Sequence, residues 1–291
     1  MPELPEVETI ARQLRGMVVG RTVRSFASDW VRLTEPEPAE LFAARLADRR
    51  ITAVRRRGKL VVIDLDGGDA LVVSLRMTGR LLFREAASER SDRFVRGTIT
   101  FADGSALRFA DTRKFGRMAI VDRAEIAPAG GDGARPAKAP LHRTLGREPL
   151  SRAFTVDWLR AFLRRRGRAA LKPLLLDPRG IAGIGNIYAC EALWRARLHP
   201  LRAAGTLRAD EAARLHEALR WVLRKGIRFG GASRRDFVDA RGQQGRMQRE
   251  FQVYARDGEP CQRCGAAIAR TVVGGRGSFH CPRCQRAPRR R

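Results

Sequence analysis

Pro2-Glu3-Leu4-Pro5-Glu6-Val7-Glu8-Thr9 follows Met1, and its reading decides both the start of the fold and its chemistry. As local structure it is a helix start: Pro5 belongs in a first turn, and Glu6 and Glu8 face the positive end of the helix dipole. The helix is expected over residues 5–16, ending at Gly16. As chemistry, a small residue after Met1 favours Met removal, which leaves Pro2 as a secondary amine. An α-amino group titrates near pKa ~8, so part of it is unprotonated and nucleophilic near neutrality. Such an amine attacks electrophilic carbon, C1′ of a sugar or an aldehyde, and forms a Schiff base. Glu3 stands beside it as a candidate acid/base group. The two readings are compatible, because the helix fixes where the amine points.

Beyond Gly16 the pattern becomes that of strands. Short runs rich in Val, Ile, Leu and Phe stand at 22–28, 51–56, 60–65, 70–75, 80–84, 97–102, 106–110 and 117–121, separated by Gly and Asp. Alternation at this spacing predicts an antiparallel β-sandwich. Residues 127–140 are rich in Pro, Gly and Ala without core-forming periodicity and read as a linker. Past it the period turns helical, with helices expected at 155–166, 169–176, 186–195 and 209–226, a Gly-containing loop at 230–248 and a short strand at 251–254. The chain is thus α+β with two domains. We divide it into a β-sandwich domain 1–126, a linker 127–150, a helical domain 151–250 and a Cys-rich end with a basic tail, 251–291.

The formal net charge is +27, from 58 Lys and Arg against 31 Asp and Glu. Self-repulsion of that size opposes compaction unless a polyanion is the partner, so nucleic acid is expected. The excess leans towards the C-terminal half: residues 151–241 carry 20 basic and 8 acidic side chains, and residues 242–291 carry 11 and 3. No apolar run approaches the ~18 residues of a membrane span. The acidic first residues do not resemble a signal peptide. A cytosolic protein, working at the nucleoid and without membrane contact, is the expectation.

Cys261-Gln262-Arg263-Cys264 and Cys281-Pro282-Arg283-Cys284 are separated by sixteen residues. Four thiols at this spacing, Cys261, Cys264, Cys281 and Cys284, are the ligand set of one structural zinc with no position left for catalysis. Metal binding of roughly 10–16 kcal/mol folds a hairpin too small for a core of its own. Ile268–Val273 and Ser278–His280 read as its strands, with Arg276 at a Gly-rich tip (Gly274-Gly275-Arg276-Gly277) where it can meet phosphate. Cys190, the fifth thiol, reads as a small buried hydrophobe.

Asp177-Pro178-Arg179-Gly180-Ile181-Ala182-Gly183-Ile184-Gly185-Asn186-Ile187-Tyr188 is a glycine-bearing turn before a helix whose N-terminus can receive phosphate. Asn186 can cap that helix or donate to the same phosphate, and Lys172 and Arg168 add positive charge upstream. In the first domain Lys59 follows Arg55-Arg56-Arg57-Gly58 at the mouth of an apolar strand. Met77-Thr78-Gly79 and Asp111-Thr112-Arg113-Lys114-Phe115-Gly116 set Met77, Arg113 and Phe115 at turns. Packing is the plain reading of that Met and Phe; insertion into a base stack is the alternative.

PELPEVET at 2–9, RRGK at 56–59, MTG at 77–79, DTRKFG at 111–116, GIGNIYA at 183–189, QVYARDGEPC at 252–261 and the terminal Cys pairs occur in one order. Together they resemble the formamidopyrimidine-DNA glycosylase family along nearly the whole chain. The resemblance implies a helix–two-turn–helix domain and a terminal zinc-finger hairpin behind the β-sandwich. It implies a monomer that removes oxidised purines, 8-oxoguanine opposite cytosine and formamidopyrimidines, from double-stranded DNA. Pro2 would be the nucleophile, Glu3 the acid/base group, Lys59 a proton donor for β-elimination, and Arg276 an aid to the second elimination. Met77, Arg113 and Phe115 would fill the gap left by the flipped nucleotide, with Asn186, Lys172 and Arg168 on the DNA backbone. Abasic sites would be substrates too.

This chain departs from the family pattern at Ser74 and Arg76 before the wedge, at Ser91-Asp92-Arg93 where a His-Asp-His stretch is usual, at Thr112 where a Pro is usual, and in the loop 232–249. A sibling enzyme for oxidised pyrimidines, endonuclease VIII-like, is opposed by Leu4, where that branch has Gly. A non-catalytic nucleic-acid-binding module is opposed by Pro2, Glu3 and Lys59 together.

Overall fold

The computed structural model describes residues 1–86, 91–128, 130 and 140–288. Ten residues of the expected linker (129 and 131–139), residues 87–90 and the tail 289–291 lie outside these. The chain forms two compact units, Met1–Ile126 with Ile227–Gln248, and Ala127–Gly226 with Arg249–Arg291.

The first unit begins with α1, Leu4–Val18, which buries Leu4, Val7, Ile10, Ala11, Leu14 and Val18 along one face. It runs through Gly16 instead of ending there. A mid-helix Gly costs about 1 kcal/mol, whereas burying a Val side chain returns roughly 1.5–3 kcal/mol, so Val18 carries the helix onward. Eight strands follow: β1 (Val23–Ser28), β2 (Ile51–Arg57), β3 (Leu60–Leu65), β4 (Asp69–Ser74), β5 (Gly79–Arg84), β6 (Val95–Phe101), β7 (Ala106–Asp111) and β8 (Arg117–Asp122). They form two four-stranded antiparallel sheets, β1-β6-β7-β5 and β2-β3-β4-β8. Val61 and Ile63 of one sheet and Leu81, Phe101 and Phe109 of the other share one core with Ile10 and Leu14 of α1. Helix α2 (Ala39–Leu46), not expected from the sequence, buries only Phe42 and Leu46. Two anchors over eight residues make a weak periodic signal.

Register sets up one end of the sandwich. Ser74 of β4 pairs with Arg117 of β8 in one sheet, and Gly79 of β5 pairs with Asp111 of β7 in the other. The connections 75–78 and 112–116 therefore both cross between the sheets at the same edge, side by side.

Ile227–Gln248, drawn with the helical domain from the sequence, packs with the first unit instead. Phe237 and Ala240 enter its core. Gln13 donates to Asp239 Oδ2 (2.7 Å) and accepts from Ala240 N–H (2.9 Å), and Phe83 N–H donates to the Ala240 carbonyl (2.9 Å). These partners are more than 150 residues away in sequence, beyond the reach of local patterns.

The second unit holds α3 (Leu141–Thr144), α4 (Val156–Arg165), α5 (Leu171–Leu176), α6 (Asn186–Ala196) and most of α7 (Ala209–Arg228), then the hairpin β9 (Ala269–Val273) and β10 (Arg276–His280). Thr155 caps α4 by accepting from Trp158 N–H at 3.1 Å. Gly226 lets Tyr188 pack against α7, since a Cβ there would lie 2.5 Å from the ring. The strand expected at 251–254 does not form. The N–H groups of Gln252, Val253 and Tyr254 all donate to the buried Glu191 carboxylate of α6, at 2.9–3.1 Å. Tied to one carboxylate, these donors cannot enter a ladder. Burial pushes the Glu191 carboxyl upward against the effect of these bonds.

Candidate active site

In the first unit Pro2 is buried ahead of α1, while Met1 is exposed. Glu3 and Glu6 form a reciprocal capping box: Glu3 N–H donates to Glu6 Oε2 at 2.7 Å, and the Glu3 side chain accepts from Glu6 N–H. Glu6 Oε1 also accepts from Ala232 N–H at 2.8 Å. The backbone next to Pro2 is thus held in place, and Glu6 serves as a structural acceptor rather than only a dipole partner.

Glu8, one turn on, receives Arg12 Nε (2.8 Å) and Arg56 Nε (3.0 Å). Burial pushes the Glu8 carboxyl up, but the two guanidinium groups outweigh it and hold the pKa below the usual range. Arg56 Nη1 in turn donates to the Gly58 carbonyl at 3.0 Å. Glu8, Arg56 and Gly58 therefore tie the helix behind Pro2 to the β2–β3 turn that carries Lys59. Gly58 makes that turn with φ +59°, and Lys59 is half-buried.

Met77, Arg113 and Phe115 sit on the paired crossings. Met77 is 40% exposed and Phe115 49%, so neither packs into the core, the plainer expectation. The Arg113 guanidinium lies 4.8 Å from the centre of the Phe115 ring. Both crossings hang from one buried carboxylate, Asp111. It accepts from Thr78 Oγ1 (2.5 Å), Arg113 N–H (3.1 Å), Phe115 N–H (2.9 Å) and Gly116 N–H (2.8 Å). Thr78 Oγ1 also accepts from Arg113 N–H at 3.2 Å. Asp111 and Thr78 were legible as parts of motifs but not as anchors. A Cβ on Gly116 would lie 2.2 Å from Phe109, which excludes a side chain there.

In the second unit Arg168 is exposed before α5. Lys172, expected on the DNA backbone, is instead wholly buried, and its Nζ donates to the Gly277 carbonyl (2.9 Å) and Ser278 Oγ (2.5 Å). An ammonium without solvent exposure is satisfied from within, so Lys172 holds the hairpin. Asn186 does not cap α6, whose N-cap is Gly185; its Nδ2 donates to the same Gly277 carbonyl at 2.9 Å. Helices α5 and α6 thus converge on the residue next to Arg276. The tip itself is a Gly274-Gly275 turn, with φ of +58° and +70°, that leaves Arg276 exposed.

The Sγ atoms of Cys261, Cys264, Cys281 and Cys284 lie within 4.8 Å of one another. A tetrahedral zinc with bonds of about 2.3 Å requires sulfurs roughly 3.8 Å apart, so the four thiols fit one such ion. Gly265 supplies the knuckle turn with φ +73°, its N–H donating to the Cys261 carbonyl at 2.8 Å. Cys190 packs beside this cluster with Val253 and Ile268.

Three family models match in order. The formamidopyrimidine-DNA glycosylase N-terminal domain covers residues 1–118, the formamidopyrimidine-DNA glycosylase H2TH domain covers 145–238, and the zinc finger found in FPG and IleRS covers 258–287. The formamidopyrimidine-DNA glycosylase of Roseiflexus sp. (strain RS-1) is 46% identical over 98% of this chain and 100% of its own length. The chain belongs to the formamidopyrimidine-DNA glycosylase family. A second family member, from Herpetosiphon aurantiacus, is 44% identical over 98% of this chain and 100% of its own.

Solved structures of the family are similar throughout. MutM in complex with DNA containing carbocyclic 8-oxo-G superposes with a TM-score of 0.86 at 34% identity, covering 98% of this chain and 100% of that one. The MutM (FPG) protein of Thermus thermophilus gives 0.83 at 40% identity, with 98% of each chain covered. Like its relatives, the chain is an α+β protein with an antiparallel sandwich, an H2TH domain and a terminal zinc finger, and zinc is its metal. No helix among the described residues is long and apolar enough to cross a membrane.

Proposed function

We propose that this chain repairs DNA by base excision, as a bifunctional glycosylase and abasic-site lyase acting on oxidised purines in double-stranded DNA. The observation that carries the reading, beyond full-length membership of the glycosylase family, is the paired crossing. Exposed Met77 and Phe115, with the Arg113 guanidinium over the Phe115 ring, sit on crossings that hang from the buried Asp111 carboxylate. Exposed apolar side chains on a fixed platform suit insertion into a base stack, where they replace the stacking lost when a nucleotide is turned out. Arg113 offers donors to the orphaned base, a cytosine opposite 8-oxoguanine.

With Met1 removed, the Pro2 nitrogen attacks C1′ of the flipped nucleotide. The glycosidic bond breaks and the base leaves with the amine's proton; the sugar ring then opens at C1′–O4′, O4′ taking a proton, and a cationic Schiff base joins Pro2 to C1′. Glu3, whose side chain accepts in the capping box, moves protons at this step, and Lys59 moves them in the β-elimination that expels the 3′-phosphate. Arg276 serves the second elimination, at the 5′ side, while gripping phosphate. Arg168 adds to that grip; Asn186 and Lys172 act by fixing the Arg276 hairpin. The four cysteines hold zinc for structure alone. The enzyme works as a monomer in the bacterial cytoplasm, at the nucleoid.

Borohydride reduction in the presence of an 8-oxoguanine·cytosine duplex tests this. A covalent adduct should form with protein whose N-terminal proline is verified by mass, and should be lost when Pro2 is masked by an uncleaved extension or changed by Pro2→Gly. Absence of any adduct with duplexes carrying 8-oxoguanine, formamidopyrimidine or an abasic site would overturn the proposal.

A further inference from the structure

Trp194 lies in the last turn of α6 and belongs to none of the motifs above. The only polar group of an indole is its N–H, and in this structure it donates to Cys261 Sγ at 3.4 Å. The ring is locked in that pose by the knuckle itself. Arg263, between the two thiols of the first pair, lies 4.1 Å from the ring centre and donates Nη1 to the Trp194 carbonyl at 3.1 Å. Cys261 is 2% exposed, so water cannot easily replace the indole as a donor.

A divalent ion with four thiolates carries a net charge of about −2, which is costly in a buried setting unless N–H dipoles point at the sulfurs. One such dipole comes from within the finger, Cys284 N–H to Cys281 Sγ at 3.4 Å. The Trp194 N–H comes from outside it, from a helix. We propose that Trp194 is an outer-shell donor to the zinc site. It stabilises the Cys261 thiolate, tunes metal affinity and seats the finger on α6. The same helix holds the other end of the finger through Asn186 and Gly277, so α6 grips both the metal end and the Arg276 end. This inference rests on the zinc site and not on any catalytic role.

The test uses the full chain, with zinc affinity measured by chelator competition and the metal environment by cobalt substitution. Trp194→Phe should weaken zinc binding by roughly 10–100-fold, the usual consequence of losing an outer-shell partner. It should also move the sulfur-to-cobalt charge-transfer band to longer wavelength, because a thiolate without its hydrogen bond is easier to oxidise. Replacing Trp194 by 3-benzothienylalanine keeps the shape and the stacking on Arg263 but removes the donor. It should reproduce both changes with the far-UV circular dichroism intact, while Trp221→Phe should produce neither. If the benzothienyl variant kept native affinity and band position, the indole would act through packing alone and the proposal would fall.

Discussion

Asp111 shows how much one carboxylate can organise. Four donors reach it, and three are backbone N–H groups of the crossing that bears Arg113 and Phe115. An amide at this position would turn an N–H₂ group towards some of these donors and leave them unpaired. Each buried donor left unsatisfied costs about 1–3 kcal/mol. Asp111→Asn should therefore lower stability by about 2 kcal/mol in urea unfolding. It should also reduce affinity for a lesion duplex more than for an undamaged one, in paired titrations, because only the former needs the wedge. Equal losses for the two duplexes would show that the platform has no part in lesion binding. The zinc-binding cysteines are legible because their type and spacing announce them, and the roles proposed for Pro2, Glu3 and Arg113 rest on the same kind of signal. Asp111, Thr78 and Glu6 are not legible in this way, because an acceptor is defined by the donors that folding brings to it.

At the scale of elements, the strands and the longer helices were legible to within a few residues, since alternation and helical period are local signals; α2, with only Phe42 and Leu46 buried, was not. The other exceptions share a cause. The 251–254 segment has the composition of a strand but spends its N–H groups on Glu191, and Lys172 has the look of a phosphate contact but is enclosed by α5 and the hairpin. The Ser91-Asp92-Arg93 stretch, which departs from the family pattern, shows the same effect. Asp92 takes a forked pair of bonds from Arg84 of β5 (2.9 and 2.6 Å) and another from Arg108 of β7 (3.2 Å). Burial pushes its carboxyl up, but the two guanidinium groups prevail and hold it below the usual range. A depressed carboxyl stabilises the fold fully above its unfolded pKa of ~3.9 and loses that contribution as pH falls through the folded value. Asp92→Asn leaves the buried Arg84 uncompensated and should cost about 3 kcal/mol near neutrality. Melting temperatures of the parent and the variant should run parallel above about pH 5 and converge below pH ~4. A gap unchanged down to pH ~3 would mean that the carboxylate charge is not what matters there.

For the whole molecule, the +27 charge governs any encounter with DNA. Neutralising phosphates releases counterions, and six to ten such contacts would cost roughly 10³–10⁵ in affinity between 50 and 200 mM salt. A logarithmic plot of affinity for undamaged duplex against salt should be steep and linear. A slope shallower than about −3 would place most of this charge away from the DNA. The net charge, the family, the zinc ligands and the succession of sandwich and helices were determined by the sequence itself, because each rests on composition, spacing or local periodicity. Tertiary structure alone decided that Ile227–Gln248 packs with the sandwich, that Asp111 anchors both crossings, and that Lys172, Asn186 and Trp194 serve the finger from α5 and α6. Those assignments depend on which distant donors and acceptors lose access to water together, and only the folded chain brings them into contact.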